Sequence, residues 1–136
     1  MARKFTRNYK QEHKYVLIAD RKDENGEDEK NPITWKFKPL SQKQIAAIDD
    51  GMLSYKNNFT EVSVSQNEAV LSAVKTQVTG WENLEDDKGE VKFNPKEGVT
   101  EDILAFMGKE GWAELGNVII NVSKFPDDAE THLGNF

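Results

Sequence analysis

The stretch that most constrains this chain runs Val78-Thr79-Gly80-Trp81-Glu82-Asn83-Leu84 and continues Glu85-Asp86-Asp87-Lys88-Gly89-Glu90-Val91-Lys92-Phe93. It reads as a helix that stops at a glycine, then an aromatic corner, then a tight acidic turn into a short apolar strand. Upstream, Ser65-Gln66-Asn67-Glu68 has the form of a capping box, in which hydroxyl and carboxylate each satisfy a free backbone N–H. The helix this predicts sets Val70, Leu71, Val74 and Val78 on one stripe. Gly80 supplies the left-handed stop. Asp87-Lys88-Gly89 then turns the chain into Val91 and Phe93.

Elements of both kinds surround this segment. Residues 1–14 carry Arg3, Lys4, Arg7, Lys10 and Lys14 against one acid, Glu12, and are expected to form a flexible basic arm. Residues 15–136 then form a single domain. Tyr15-Val16-Leu17-Ile18-Ala19 is rich in β-formers and predicts a strand. In Ile33-Thr34-Trp35-Lys36-Phe37-Lys38 the alternation puts Ile33, Trp35 and Phe37 on one face. The charged linker between them, centred on Asn25-Gly26 and closed by Pro32, reads as a hairpin tip.

Ser41 is placed to cap a short helix through Asp50, with Ile45 and Ile48 inward and Gly51 ending it. Val62 and Val64 alternate with Ser63, which suits a short strand. Thr100-Glu101-Asp102 opens another helix, with acids at the positive end of its dipole. Its apolar side is Ile103, Leu104, Phe106 and Met107, and Gly108 and Gly111 are expected to break it. Apolar residues at 112, 115, 118, 119 and 122 have helical spacing, although Val118-Ile119-Ile120 also suits a strand. Pro126-Asp127-Asp128-Ala129-Glu130 has the form of a last helix's first turn. The fold class is α+β: an N-terminal β-hairpin with several packed α-helices and a mostly helical C-terminal half.

The 136 residues suit one domain. The net charge of −6 argues against broad nucleic-acid or membrane-surface binding, which needs clustered Lys and Arg. No cysteine is present, so disulfides and thiolate metal sites are excluded. No apolar run approaches the roughly 18 residues that span a bilayer.

Chemistry finds little support. With Gly26 at the sixth position of a calcium loop, Arg21 falls first and Pro32 twelfth; with Gly89 sixth, Leu84 falls first and Lys88 fifth. Both registers fail. His13 and His132 lie near opposite ends in segments predicted to be mobile, and neither has a second histidine at zinc-ligand spacing. There is no GxxxxGK loop and no nucleophile elbow. The reading is non-catalytic, with no cofactor. Trp35, Phe37, Trp81 and Trp112 are first of all core candidates. The functional alternative makes Phe106, Met107, Trp112 and Phe125 a groove for a partner helix.

The order of these features carries a resemblance. A small strand pair is followed by Lys38-Pro39-Leu40 leading into a Gln/Ile-rich helix, then Gly80-Trp81-Glu82-Asn83-Leu84, then an Asp-Asp-Lys-Gly turn to Val91 and Phe93. A helix near 101–107 comes next, and Glu114-Leu115-Gly116-Asn117-Val118-Ile119 runs into Ser123-Lys124-Phe125. This resembles small proteins of tailed bacteriophages, in particular the tail-assembly chaperones of long, non-contractile-tailed phages, over roughly residues 33–133. The resemblance implies a scaffold that binds the apolar helical tape-measure protein and recruits tail-tube subunits around it. It implies residence in the host cytoplasm and absence from the mature virion. The partner-binding residues expected on this reading are Trp81, Leu84, Phe106, Met107, Trp112 and Phe125. Self-association stays open. A minor tail-completion or connector protein, a small regulator of a host protein, and an enzyme are the alternatives, in that order.

Overall fold

A computed structural model describes residues 11–55 and 62–124 together with Leu133, and the side chains within 11–48 and 67–124 together with that of Leu133. The elements are β1 (His13–Tyr15), β2 (Thr34–Phe37), α1 (Gln42–Tyr55), α2 (Val62–Gln77), β3 (Val78–Glu82), β4 (Glu85–Asp86), β5 (Gly89–Glu90) and α3 (Glu101–Lys124). This is an α+β fold. Strands β1, β2 and β3 form an antiparallel sheet in that order, and β4 and β5 form a separate small hairpin.

Strand alternation divides the sheet into two faces. Tyr15 lies opposite Trp35, His13 opposite Phe37, and Trp35 opposite Trp81. Trp35 and Phe37 are completely buried and Tyr15 nearly so. On the other face, Glu82 pairs with Lys14 (3.4 Å) and Lys36 (3.8 Å). One apolar and one charged face is the usual solution for a sheet covered on a single side. Beneath the apolar face lie Val70, Ala73 and Val74 of α2 and Leu115, Ile119 and Val122 of α3. Trp35 Nε1 is buried without a hydrogen-bond partner, and burial of so large a ring outweighs that loss of about 1–3 kcal/mol.

Several boundaries differ from the sequence reading. The first strand ends at Tyr15, and Ile18–Asp20 forms a 3₁₀ turn instead of continuing it. The strand begins at His13, inside the arm expected over residues 1–14, and residues 1–10 of that expectation lie outside the described residues. His13 is held in that strand, its ring 5.6 Å from Phe37. At the hairpin tip, Asp23 Oδ1 accepts from the backbone N–H of Asn25 and Glu27, and Gly26 takes φ 78°. Ser41 and Gln44 cap α1 reciprocally, at 3.2 and 2.8 Å. The helix passes through Gly51 to Tyr55.

Val62 and Val64 lie in α2, not in a strand, and the segment Ser65–Glu68 falls inside the helix rather than at its start. The helix also ends sooner than the Val70–Val78 stripe implies. Val78 already belongs to β3, and Gly80 pairs with Lys36 within the sheet. The pairing jumps from Phe37–Val78 to Lys36–Gly80, which leaves Thr79 as a bulge. A glycine beside a bulge reads much like a helix stop. Here the Lys36 side chain crosses it, 3.9 Å from where a Cβ would stand. Of the proposed final helix over 126–134 only Leu133, which is helical, is described; its other residues, His132 among them, and Phe125 lie outside the described residues.

Two buried polar residues pin the link from β2 to α1. Gln77 Nε2 donates to the carbonyls of Lys38 and Pro39, both at 2.9 Å, while its Oε1 accepts from Gln44. Ser123 Oγ accepts from the Leu40 N–H at 2.8 Å and donates to the Ile119 carbonyl. A third tie joins the hairpin to α3. Glu114 Oε2 accepts from the Tyr15 hydroxyl (2.7 Å) and the Ile18 N–H (3.0 Å). Burial, with the Glu114 carboxylate next in weight, pushes the Tyr15 phenol up to about 12.

Helices α2 and α3 cross at Gly116. A Cβ there would collide with the side chain and backbone carbonyl of Val70. Helix propensity favours alanine over glycine by about 1 kcal/mol. A clash with backbone cannot be relieved by a rotamer change and costs about 3 kcal/mol. The clash therefore wins. Gly116→Ala is expected to lower stability by roughly 2 kcal/mol, read from the urea unfolding midpoint; an unchanged midpoint would refute the crossing.

Burial holds the His13 imidazole below its ordinary value of 6.5. The folded state thus favours the neutral ring. Its contribution is fully present above pH 6.5 and is lost as pH falls through the folded value. Stability measured between neutral pH and about pH 5 is expected to fall less steeply in His13→Phe than in the parent chain.

Candidate binding cleft

Asn83 and Leu84 carry the chain from β3 into the β4–β5 hairpin. Asn83 adopts φ 64°, a conformation asparagine tolerates, and its Nδ2 donates to the Pro32 carbonyl at 3.0 Å. Asp86 Oδ1 accepts from the Lys88 N–H, and Gly89 takes φ 120° on the far side of the two-residue turn. The turn forms where Asp87-Lys88-Gly89 predicts it, but the strand that follows is the exposed pair Gly89–Glu90, and Val91 and Phe93 lie beyond it rather than in an apolar strand. The returning strand is tied back by Val91 N–H donating to the Leu84 carbonyl at 2.8 Å.

Trp81 closes this corner. Its Nε1 donates to the Val91 carbonyl at 2.7 Å. Its ring meets Trp35 edge-on at 5.7 Å and Phe93 edge-on at 5.1 Å. Such pairs add about 0.5–1.5 kcal/mol each beyond area burial. The Trp35–Trp81–Phe93 series runs from the centre of the core to the surface.

Beyond Trp81 the chain encloses an open cleft of about 300 Å³. Its apolar lining is Trp81, Leu84, Val91, Ile103 and Phe106. Glu85, Asp86, Glu97 and Asp102 bring four carboxylates to it, against the single ammonium of Lys92. Leu84 is buried, Trp81 and Ile103 are half-buried, and Phe106 is 57% exposed. The volume is at the lower end for ligand sites, which run from about 300 to 1,000 Å³. It accommodates one or two large apolar side chains of a partner lying across it.

The wall facing Trp81 comes from the first turns of α3 and the loop before it. Asn94-Pro95-Lys96-Glu97-Gly98 is a turn: the Asn94 carbonyl accepts from Glu97 and Gly98, and Asn94 Oδ1 accepts from Lys96. Gly98 takes φ 63° there. Thr100 O accepts from Leu104 N–H as α3 begins. Leu104 turns inward and is 5% exposed, which leaves Ile103 and Phe106 for the cleft.

The six expected contact residues therefore divide. Trp81, Leu84 and Phe106 come together at the cleft. Met107 and Trp112 are half-buried against the core, away from it. Met107 follows Phe106 directly and so stands about 100° away from it around the helix. Gly108 adopts φ 73°, ψ 166°, which interrupts the helix between Phe106 and Trp112. The next glycine does not break α3. Gly111 stays helical, and a Cβ there would stand 3.2 Å from Leu17 and from Met107. Phe125 lies outside the described residues. The sequence reading missed Glu97 and Asp102 as rim residues, although the Asn-Pro-Lys-Glu-Gly turn was a visible signal that the chain folds back at this point.

Among the described residues no group of three or more His, Asp or Glu side chains could hold a metal ion. No helix among them is long and apolar enough to cross a membrane. Comparison with models of protein families, with curated proteins and with solved structures returns no match. The cleft itself is the starting point for function.

Trp81→Phe keeps an aromatic ring but leaves the Val91 carbonyl without its donor. A lost neutral hydrogen bond at a half-buried site predicts destabilisation of about 1 kcal/mol. The drop in denaturation midpoint relative to the parent chain checks this, and no drop would mean that the indole N–H contributes nothing to the corner.

Proposed function

We propose that this chain is a non-catalytic binding protein, acting as a tail-assembly chaperone for a tailed bacteriophage. Its clients on this reading are the tape-measure protein and the tail-tube subunits, met in the host cytoplasm before the particle is finished. The single observation that carries the reading is the cleft, whose lining includes an aromatic side chain exposed by 57% at Phe106. Large apolar side chains left at the mouth of a concave site are suited to shielding the apolar face of an amphipathic helix. The segment that most closely resembles the phage chaperones, Gly80-Trp81-Glu82-Asn83-Leu84, contributes Trp81 and Leu84 to that site. A chain with net charge −6 also keeps such a complex from aggregating.

The test is capture during infection. Tagged protein is expected to bring down a long helical tape-measure protein or a tail-tube subunit before particles mature, and to be missing from finished virions. Phe106→Ser, a change at an exposed position, is expected to move stability by no more than about 0.5 kcal/mol while capture falls. Retention in finished particles would make the chain a structural tail component instead. Recovery of a host protein alone would make it a regulator.

A further inference from the structure

We infer that the segment seated in this cleft is basic as well as apolar: an amphipathic helix whose large apolar residues are flanked by Lys or Arg. This rests on the reading of the cleft as a client-binding site and adds the chemistry of the client. The argument is charge complementarity. Glu85 and Asp86 on one side and Glu97 and Asp102 on the other face an opening that contains one lysine. Among the described residues the ion pairs of this chain are made elsewhere: Lys14 and Lys36 with Glu82, Lys22 with Asp28, and Lys75 with Glu101. Among the described residues Glu85, Glu97 and Asp102 thus hold no ion pair.

Glu85 also stands opposite Glu90 in the β4–β5 pair. Like charges directly opposed weaken a hairpin, so folding alone does not favour acid at this position. A neutral apolar client would need no such rim, and an acidic one would be repelled by it. On a helix, positions three and four apart are neighbours. One basic residue on each side of an apolar anchor would therefore reach both rims while the anchor meets Trp81 and Phe106. Charge complementarity of this kind sets partner choice and encounter rate more than total affinity.

The experiment uses three designed helical peptides with one shared Leu/Phe face, flanked by Lys and Arg, by Gln, or by Glu. Binding to the full chain is read by fluorescence anisotropy of labelled peptide. The basic peptide is expected to bind most tightly and to weaken as salt is raised. Glu85→Lys combined with Asp86→Lys, both exposed, is expected to weaken the basic peptide roughly tenfold and to improve the acidic one. Phe106→Ser is expected to weaken all three. Equal binding of the three peptides, still sensitive to Phe106→Ser, would overturn the charge selection and leave the cleft reading standing. Binding of none would overturn both. A dimer of the chain that Phe106→Ser dissolves would make a second copy the occupant and would overturn the inference.

Discussion

The contact between α2 and α3 at Gly116 and Val70 governs the rest of this structure. Helix α2 passes into β3 without a linker, Gln77 ending one and Val78 beginning the other. The position of α2 therefore fixes β3, and through the Trp35–Trp81 pair it fixes the corner that forms one wall of the cleft. Helix α3 supplies the other wall from its first turns. Two helices that touch at a glycine can approach closely, and their separation is set by backbone rather than by adaptable side chains. The width of the cleft is in this sense decided by a residue that does not line it.

Polar residues add what apolar packing leaves unspecified. Burial of Trp35, Phe37, Leu115, Ile119, Val74 and Val122 holds sheet and helices together, but such contacts tolerate sliding. Gln77 and Ser123 each satisfy more than one backbone or side-chain partner at the turn between β2 and α1. Glu114 binds both Tyr15 and the start of the 3₁₀ turn. A buried amide or hydroxyl that loses one partner leaves a group unsatisfied at about 1–3 kcal/mol. Displaced arrangements are therefore penalised at three separate places.

Much of this was legible in the sequence where one signal acted alone. Alternation gave β2 and its buried face, and the hairpin tip around Asn25-Gly26 and the turn at Asp87-Lys88-Gly89 stand where turn chemistry puts them. The start of α3 and the apolar stripe from Leu115 to Val122 followed helical spacing. Errors arose where tertiary contacts chose between two local solutions. Gly80 suits a helix stop and a strand bulge equally well, and pairing with Lys36 selected the strand. Ser65 and Glu68 fit a cap, yet the helix starts earlier at Val62. The ties made by Gln77, Ser123 and Glu114 join residues far apart in the chain, and no spacing rule exposes them. Of the six residues expected at a partner surface, Trp81, Leu84 and Phe106 meet at the cleft, while Met107 and Trp112 pack against the core. Glu97 and Asp102 were not singled out, since 24 acids in one chain hide the few that reach the cleft.

Gly108 ties the fold to the cleft in a last respect. An uninterrupted α3 would hold Ile103, Phe106, Met107 and the stripe beginning at Leu115 to one periodicity, and that stripe is committed to the core. Phe106 sits nine residues before Leu115, which is two and a half turns at 3.6 residues per turn. An unbroken helix thus already points Phe106 away from the core side, while Met107, eight residues before Leu115, stands about 80° from that side and Ile103, twelve before it, about 120°. Leu104, eleven residues or about three turns before Leu115, lies on the core side and turns inward, while Ile103 remains half-buried along the cleft beside Phe106. The break at φ 73°, ψ 166° kinks the helix between these turns and the stripe that begins at Leu115. The ψ of 166° at this φ is open essentially to glycine alone. One residue without a side chain thus turns α3 between the end that lines the cleft and the end that enters the core.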